Sequence, residues 1–262
     1  MSGNKRIVIK VGTNVLTKGD GTLDKPIFRQ LVVQLVRLVE RKWQPILVSS
    51  GAVGAGKSIL PNCEIEDEAI RRQVLSSIGQ ASLMKRYYEL FHEYDIVCSQ
   101  VLTTKEDFSS GDHYQNMINC FEGLLSQGIV PIVNENDVVS LTELMFTDND
   151  ELAGLTAELV KAQKFIILSN VEGLYTGLPG QDGSELISEV NTDDFTYSNS
   201  ISQNKSTQGR GGMKSKYEIA TKTASKGIDT YIAHGKRENI ILDILDGKGV
   251  GTRFLTREII NR

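Results

Sequence analysis

The sequence has few of the features that mark a secreted, metal-binding or disulfide-stabilised protein. Its three cysteines, Cys63, Cys98 and Cys120, form no C-x-x-C pair and are odd in number, which predicts reduced thiols that are buried or half-buried. The three histidines do not have the spacing of metal ligands. We therefore expect a cytoplasmic protein whose own side chains hold no metal ion.

Neither sign of charge dominates, and no long apolar run is present. Twenty-nine basic residues face 33 acidic ones, so no basic footprint for nucleic acid or an anionic membrane exists. No stretch of about 18 uncharged apolar residues occurs, and no apolar signal segment precedes the strand-like run at Arg6. We expect neither a nucleic-acid nor a membrane partner, and an anionic substrate would have to be bound by local groups.

What the sequence does contain is a regular alternation of β-branched runs with segments of helical periodicity. Strands that are apolar on both faces and alternate with helices predict a parallel sheet covered on both sides. With no repeat or linker, we expect one domain over residues 1–262, an α/β fold with a three-layer αβα sandwich and a mainly parallel central sheet. Strands are predicted at 7–11, 45–49, 96–101, 129–133, 165–168 and 228–233, helices at 25–42 (capped by Asp24), 66–79, 80–93, 114–125, 150–161 and 212–226, and mostly loop at 175–211.

Ligands of such sheets bind at the carboxyl ends of the strands, so the residues that follow each strand are candidates for a site. Lys10 lies inside the first apolar strand, where an unpaired ammonium group is costly to bury. Gly12 follows it and would let backbone N–H groups approach an anion. An edge-strand lysine that reaches solvent explains Lys10 equally well at this point.

The second strand is followed by a segment that matches the phosphate-binding P-loop pattern. Residues 51–58 satisfy G-x-x-x-x-G-K-[ST]. A P-loop enzyme also needs an apolar strand that ends in Asp to hold Mg²⁺, whereas the later strands end in Asn134-Glu135 and Ser169-Asn170. We interpret the segment as a glycine-rich turn whose N–H groups face an anion, with Lys57 in solvent, and a P-loop is the minority alternative.

Polar residues cluster at three other places. Residues 134–137 put four polar side chains at the end of an apolar run, which indicates hydrogen bonding to a small polar molecule. Asp148, Asn149 and Asp150 precede a helix that needs only one of them as a cap. The glycine-rich basic segment 209–216 runs into a helix, whose N-terminus is a natural phosphate site. A surface loop with solvated lysines is the alternative for that segment.

Taken together, these motifs resemble the glutamate 5-kinases of the amino acid kinase family, from Lys5 to about Phe254. The N-E-N-D and D-N-D pieces are specific to these kinases, whereas the lysine and glycine pieces also occur in aspartokinases, acetylglutamate kinases and uridylate kinases. The motifs are K-V-G-T at 10–13, S-S-G-A-V-G at 49–54, N-E-N-D at 134–137, F-T-D-N-D at 146–150, G-L-Y at 173–175 and G-G-M-x-x-K at 211–216.

The resemblance implies an activity and a division of the site. The γ-phosphoryl group of ATP, with Mg²⁺, would pass to the side-chain carboxylate of L-glutamate, which is the first step of proline biosynthesis. Glutamate would bind over the N-terminal half and ATP over the C-terminal half. The implied catalytic residues are Lys10, Lys216 and Asp150; the substrate-binding residues are Ser50, Gly51, Asn134, Asp137, Asp148 and Asn149; and the nucleotide-binding residues are Lys10, Gly12, Ser169, Asn170, Arg210, Gly211, Gly212, Met213, Lys214, Ser215 and Lys216.

Two departures from the family pattern bear on these expectations. The family commonly has Ser-Asp where this chain has Ser169-Asn170, and many members carry a C-terminal PUA-type domain that residues 1–262 do not include. Feedback inhibition by proline and a homo-oligomer are further expectations from the family. The competing interpretations are a family member that phosphorylates aspartate or N-acetylglutamate, and a ligand-binding regulator without catalysis.

Overall fold

The computed structural model describes residues 5–109, 111–140, 146–192 and 212–255. The strands are β1 (Arg6–Val11), β2 (Gln44–Ser49), β3 (Cys98–Thr103), β4 (Val130–Glu135), β5 (Lys164–Ser169), β6 (Leu174–Tyr175), β7 (Leu186–Ile187), β8 (Glu189–Asn191), β9 (Asp229–His234) and β10 (Thr252–Leu255). The helices are α1 (Thr13–Leu16), α2 (Lys25–Glu40), α3 (Ala52–Ile59), α4 (Glu68–His92), α5 (Asp112–Ser126), α6 (Asn149–Leu159), α7 (Met213–Ser225) and α8 (Ile240–Leu245), with a 3₁₀ turn at Lys105–Phe108.

Eight of these strands form the central sheet in the order β3-β4-β2-β1-β5-β9-β10-β8. The pairs from β3 to β9 are parallel, and β10 lies antiparallel to β9. β1 is central, with all six residues buried, because it pairs with β2 on one side and β5 on the other. The mainly parallel sheet predicted from the sequence is confirmed.

Helices cover both faces of this sheet, which gives the predicted three layers. Side chains alternate along β1, so Ile7 and Ile9 pack into a core with α2, α4 and α8, whereas Val8 packs into a second core with α5, α6 and α7. The fold thus places α6 and α7 together on one face. No described helix is long and apolar enough to cross a membrane.

Helix α4 corrects the prediction of two helices at 66–79 and 80–93, because one helix runs through Gly79. A Cβ atom on Gly79 would lie 1.7 Å from the carbonyl oxygen of Ala52, and one on Gly56 would lie 1.9 Å from that of Leu75. The two glycines therefore allow α3 and α4 to touch backbone to backbone. They mark a helix crossing rather than a break.

The segment predicted as a glycine-rich turn after β2 is also different in the structure. Gly51 adopts a left-handed conformation with φ of 108°, and α3 begins directly after it at Ala52. Gly56 and Lys57 lie inside the helix, so the segment forms no phosphate-cradling loop before a helix. The P-loop alternative is therefore wrong, and Lys57 is exposed as predicted.

The sequence also left some features unpredicted or misplaced. The helix α8 and the antiparallel strand β10 follow the last predicted strand and were not predicted. All three cysteines are free thiols, but Cys120 is exposed, which contradicts the expectation that each thiol is buried or half-buried. Partial burial of Cys98 raises the pKa of its thiol to about 11.

Candidate active site

A cleft of about 1470 Å³ opens at the carboxyl ends of β1, β2, β4, β5 and β9. Its position is the one that the parallel sheet predicts for a ligand. The cleft brings together candidates from both halves of the chain. The candidate residues that line it are Lys10, Gly12, Ser50, Gly51, Asn134, Asp137, Asp148, Asn149, Ser169, Asn170, Met213 and Lys216.

At the base of the cleft, the carboxylate of Asp150 lies between two ammonium groups. Lys10 Nζ is 2.7 Å from Asp150 Oδ1, and Lys216 Nζ donates a hydrogen bond to Asp150 Oδ2 at 3.0 Å. Lys10 and Asp150 therefore form a buried ion pair. Because β1 is a central strand, the interpretation of Lys10 as an edge-strand lysine is wrong.

The electrostatics of this triad favour an ionised Asp150. Its side chain is fully buried, and burial alone would raise its pKa, but the charges of Lys10 and Lys216 outweigh burial and hold the pKa below its ordinary value. Two ammonium groups against one carboxylate leave one surplus positive charge in the triad. An anion that enters the cleft would be attracted to it.

Asp148 acts as the cap that sequence reasoning expected of one residue in this group. Its Oδ1 accepts hydrogen bonds from the backbone N–H groups of Asp150 and Glu151 at 2.8 and 3.0 Å, and its Oδ2 accepts one from Ser215 Oγ. Asp148 therefore joins the first turn of α6 to the first turn of α7. Burial, and secondarily the charge of Asp150, raise the pKa of Asp148.

A chain of amide hydrogen bonds crosses the part of the cleft beside β2 and β4. Asn149 Nδ2 donates to Asn134 Oδ1 at 2.8 Å and lies 3.4 Å from the carbonyl oxygen of Ser49. Asn134 Nδ2 in turn donates to Gln80 Oε1 at 2.9 Å. These contacts hold the ends of two strands and the start of α6 in one arrangement around Ser50 and Gly51.

Asp137 is held by a helix that sequence reasoning did not connect with the site. Arg72 donates to Asp137 Oδ1 from Nε at 3.0 Å and from Nη2 at 2.6 Å, and Ser76 Oγ donates to Oδ2 at 2.8 Å. Arg72, Ser76 and Gln80 are spaced i, i+4 and i+8, so they lie on one face of α4. That polar spacing was the one signal that could have identified them.

The candidates on the nucleotide side lie in different surroundings. Ser169 is buried at the end of β5, and the exposed Asn170 follows it. Gly12 donates its N–H to the carbonyl oxygen of Leu168 at 3.4 Å, so that N–H belongs to the backbone of the sheet. A Cβ atom on Gly12 would lie 3.5 Å from Lys10 Nζ, and the glycine thus leaves space beside that ammonium group.

The candidate residues at the start of α7 do not all face the cleft. Gly212 is the N-cap of α7, Met213 lines the cleft and Lys216 points to Asp150. Ser215 instead contacts Asp148, and Lys214 is exposed beside Glu218 at 3.8 Å. Arg210 and Gly211 lie outside the described residues.

Two further lining residues lie at and just beyond the end of β9 and were missed. His234 and Lys236 line the cleft, and Lys236 Nζ donates to the carbonyl oxygen of Thr17 at 3.2 Å. The strand-end rule that selected the other candidates applies to the sixth predicted strand as well. Extending it to that strand would have identified both residues.

Comparison with known proteins identifies the family of this chain. The model of the amino acid kinase family matches residues 5–234. This chain belongs to the amino acid kinase family. It is 49% identical over 252 residues to the glutamate 5-kinase of Bacteroides thetaiotaomicron, covering 95% of this chain and 70% of that protein. It is 44% identical over 254 residues to the glutamate 5-kinase of Chlorobaculum tepidum, covering 97% of this chain and 70% of that protein.

Solved structures of two other kinases share the fold at low sequence identity. Carbamate kinase from Giardia lamblia superposes with a TM-score of 0.71 at 17% identity, covering 98% of this chain and all of that chain. Isopentenyl phosphate kinase from T. acidophilum superposes with a TM-score of 0.68 at 16% identity, covering 95% of this chain and all of that chain. The family assignment makes the chain a kinase that uses ATP, and its curated relatives place it among the glutamate 5-kinases.

Proposed function

We propose that this kinase transfers the γ-phosphoryl group of ATP to the side-chain carboxylate of L-glutamate, which gives L-glutamyl 5-phosphate and begins proline biosynthesis. The observation that carries the proposal is the buried Lys10–Asp150–Lys216 triad at the base of the cleft. The two curated relatives, both named glutamate 5-kinase, support L-glutamate as the acceptor.

The chemistry requires charge and position more than it requires a base. A carboxylate acceptor is already ionised and nucleophilic, so no proton has to be removed from it. The obstacle is the approach of two anions, with charge spread over the phosphoryl oxygens in the transition state. Lysine supplies a compact positive charge suited to phosphate oxygens.

We assign Lys10 and Lys216 to the two sides of the transferred phosphoryl group and Asp150 to holding both ammonium groups in place. The burial of Asp150 means that its position is set by the protein, so the lysines need no rearrangement when charge develops. The surplus positive charge of the triad would be balanced by the phosphoryl group.

The residues present fit a Mg²⁺ ion that arrives with the nucleotide. The described residues contain no group of three or more His, Cys, Asp or Glu side chains that could hold a metal ion. Asp148 and Asp150 are already committed to the α6 cap and to the two lysines. Mg²⁺ suits a site made of phosphate oxygens and water, where it offsets the charge of the phosphates.

The substrate contacts follow the two sides of the cleft. We propose that Ser50, Gly51, Asn134, Asp137 and Asn149 bind glutamate, with Asp148 bracing the site from its cap position. The nucleotide would contact Lys10, Gly12, Ser169, Asn170, Met213 and Lys216, and the proposal also includes Arg210, Gly211, Gly212, Lys214 and Ser215 as the segment that leads into α7.

The family resemblance adds expectations about the setting of the enzyme. We propose that residues 1–262 act as one domain in the cytoplasm, that the enzyme is a homo-oligomer, and that proline inhibits it. Proline would then reduce the rate of the same reaction that starts its own synthesis.

The proposed function is tested by trapping the acyl phosphate. The protein is incubated with ATP, Mg²⁺, hydroxylamine and one of three acids, L-glutamate, L-aspartate or N-acetyl-L-glutamate, and the hydroxamate is measured as its coloured iron complex. We expect product with L-glutamate alone. Product with another acid would show that this acid, and not L-glutamate, is the acceptor. No product with any acid would favour a regulator without catalysis.

A further inference from the structure

The guanidinium of Arg72 lies beside two buried carboxylates that follow one another closely in sequence, Glu135 and Asp137. Asp137 and Glu135 are both more than nine-tenths buried at the end of β4, and the Arg72 guanidinium lies 2.6 Å from Asp137 Oδ1 and 3.7 Å from Glu135 Oε2. Glu135 also accepts a hydrogen bond from the N–H of Phe146 at 3.1 Å. Both carboxylates are thus fixed before any ligand arrives.

Arg72 uses only one edge of its guanidinium for this contact. Nε and Nη2 both donate to the same oxygen of Asp137, and among the described residues Nη1 makes no hydrogen bond. The guanidinium carries five N–H donors in a rigid fork. Because the Arg72 side chain is 25% exposed and lines the cleft, its remaining donors are available to a ligand there.

We infer that Arg72 binds the α-carboxylate of the acceptor amino acid, and that it thereby selects acids that carry this group; the inference rests on the proposed function. The α-ammonium and α-carboxylate groups of an amino acid share one carbon, so their partners must be neighbours. Arg72 and Asp137 are in direct contact and carry the two complementary charges. A guanidinium fork is also the side chain best matched to a carboxylate.

Three other cations that line the cleft have different partners. Lys10 and Lys216 contact Asp150 at the base of the cleft, and Arg71 is paired with Glu68, its neighbour on α4. Arg72 is in direct contact with Asp137, and we assign the α-ammonium group of the acceptor to Asp137.

The test compares two acceptors that differ only in the α-carboxylate. Arg72→Gln, Arg72→Lys and wild type are assayed by hydroxamate formation with L-glutamate and with 4-aminobutyrate, which lacks that group. If the turnover of 4-aminobutyrate is too slow to measure, its inhibition constant against L-glutamate is compared instead. Arg86→Gln is the matched control, because Arg86 is on the same helix, has 29% side-chain exposure, contacts Glu89 and does not line the cleft.

We expect Arg72→Gln to lower kcat/KM for L-glutamate by about 10- to 100-fold, mainly by raising KM. The kcat/KM for 4-aminobutyrate should stay within about twofold of the wild-type value. Arg72→Lys should keep an intermediate preference for glutamate because it retains the charge but loses the fork. Arg86→Gln should match wild type with both acceptors.

The inference is overturned if Arg72→Gln lowers kcat/KM for both acceptors by the same factor, because Arg72 would then act only by positioning Asp137. If Arg72→Gln fails to fold by circular dichroism, the same comparison is read from Arg72→Lys, and an unchanged preference for glutamate overturns the inference. Wild-type protein that makes no hydroxamate from L-glutamate would instead overturn the proposed function, and the two failures are thus distinguishable.

Discussion

Asp148 and Asp150 are two residues apart, yet their surroundings shift their pKa values in opposite directions. Burial acts on both carboxyl groups in the same sense, towards a raised pKa. Asp150 has an ammonium group beside each carboxylate oxygen and stays ionised. Asp148 accepts hydrogen bonds from neutral N–H and O–H groups and also lies near the negative charge of Asp150. The difference assigns Asp150 to the charged triad and Asp148 to the capping of α6.

This difference predicts unequal effects of two similar substitutions on stability. Asp150→Asn should lower the free energy of unfolding at pH 7 by about 3–5 kcal/mol, because it leaves two buried ammonium groups without their carboxylate. Asp148→Asn should change it by no more than about 1 kcal/mol, because Asn is also a good N-cap. Urea unfolding of both variants and wild type measures the difference.

The same variants have a pH dependence whose sign follows from the lowered pKa of Asp150. A lowered pKa in the folded state stabilises the fold above the ordinary value of 3.8, and the contribution is lost as pH falls from 3.8 through the folded pKa. The gap between wild type and Asp150→Asn should therefore narrow below pH 3.8. Equal destabilisation by both substitutions, or a gap independent of pH, would contradict the triad.

The sequence predicted the chemistry of individual residues better than their surroundings. Lys10 could be a site residue or a solvated edge lysine, because a strand's place in the sheet depends on pairing with distant segments. Arg72 was missed for a similar reason. It lies on a helix 65 residues before Asp137 in sequence, and only the packing of α4 against the end of β4 brings the two together.

At the scale of elements, the contact between α3 and α4 explains a misleading motif. Gly56 satisfies the P-loop pattern in the sequence, but in the structure it lies against the backbone of Leu75 at the helix crossing. A glycine at such a crossing and a glycine that approaches a phosphate look the same in one sequence. The helical break predicted at residues 79–80 was wrong because Gly79 lies at the same crossing.

The crossing predicts strong effects of adding one methyl group. Gly56→Ala and Gly79→Ala should each lower the free energy of unfolding by about 1–3 kcal/mol or more, because the new Cβ meets backbone atoms that cannot move aside. Gly123→Ala in α5 is the matched control, since nothing lies within 4 Å of its Cβ position. Alanine there should be stabilising by up to about 1 kcal/mol.

Urea unfolding at neutral pH measures all three glycine variants. If Gly56→Ala and Gly79→Ala behaved like Gly123→Ala, the two helices would not be in backbone contact. Loss of stability in Gly123→Ala would show that helix propensity does not apply at that position.

At the scale of the whole molecule, the alternation of strands and helices was enough to predict the three layers and the edge at which ligands bind. The order of strands was not predictable, because each pair is made by segments far apart in the chain. The antiparallel β10 was missed because it is four residues long and follows α8, a helix of only six residues whose periodicity is too short to recognise. The position of the cleft was thus predicted from the sequence, whereas the contacts between its side chains were not.

The sheet order also explains how residues from opposite ends of the chain reach one carboxylate. Lys10 is the penultimate residue of the central strand β1, and Lys216 lies near the start of α7, which packs against α6. A Cβ atom on Gly154 of α6 would lie 2.9 Å from Ile219 of α7, so the two helices approach closely beside the triad. The whole fold is therefore needed to place the two ammonium groups 2.7 and 3.0 Å from Asp150.

The most direct test is the turnover number for L-glutamate in Lys10→Ala and Lys216→Ala, beside Lys222→Ala, which changes an exposed lysine on the last turn of α7. Each triad variant should lose about 10²- to 10³-fold in kcat while remaining folded by circular dichroism, because each removes a charge that acts chiefly in the transition state. Lys222→Ala should keep the wild-type kcat. A folded Lys10→Ala or Lys216→Ala variant with wild-type kcat would contradict the account.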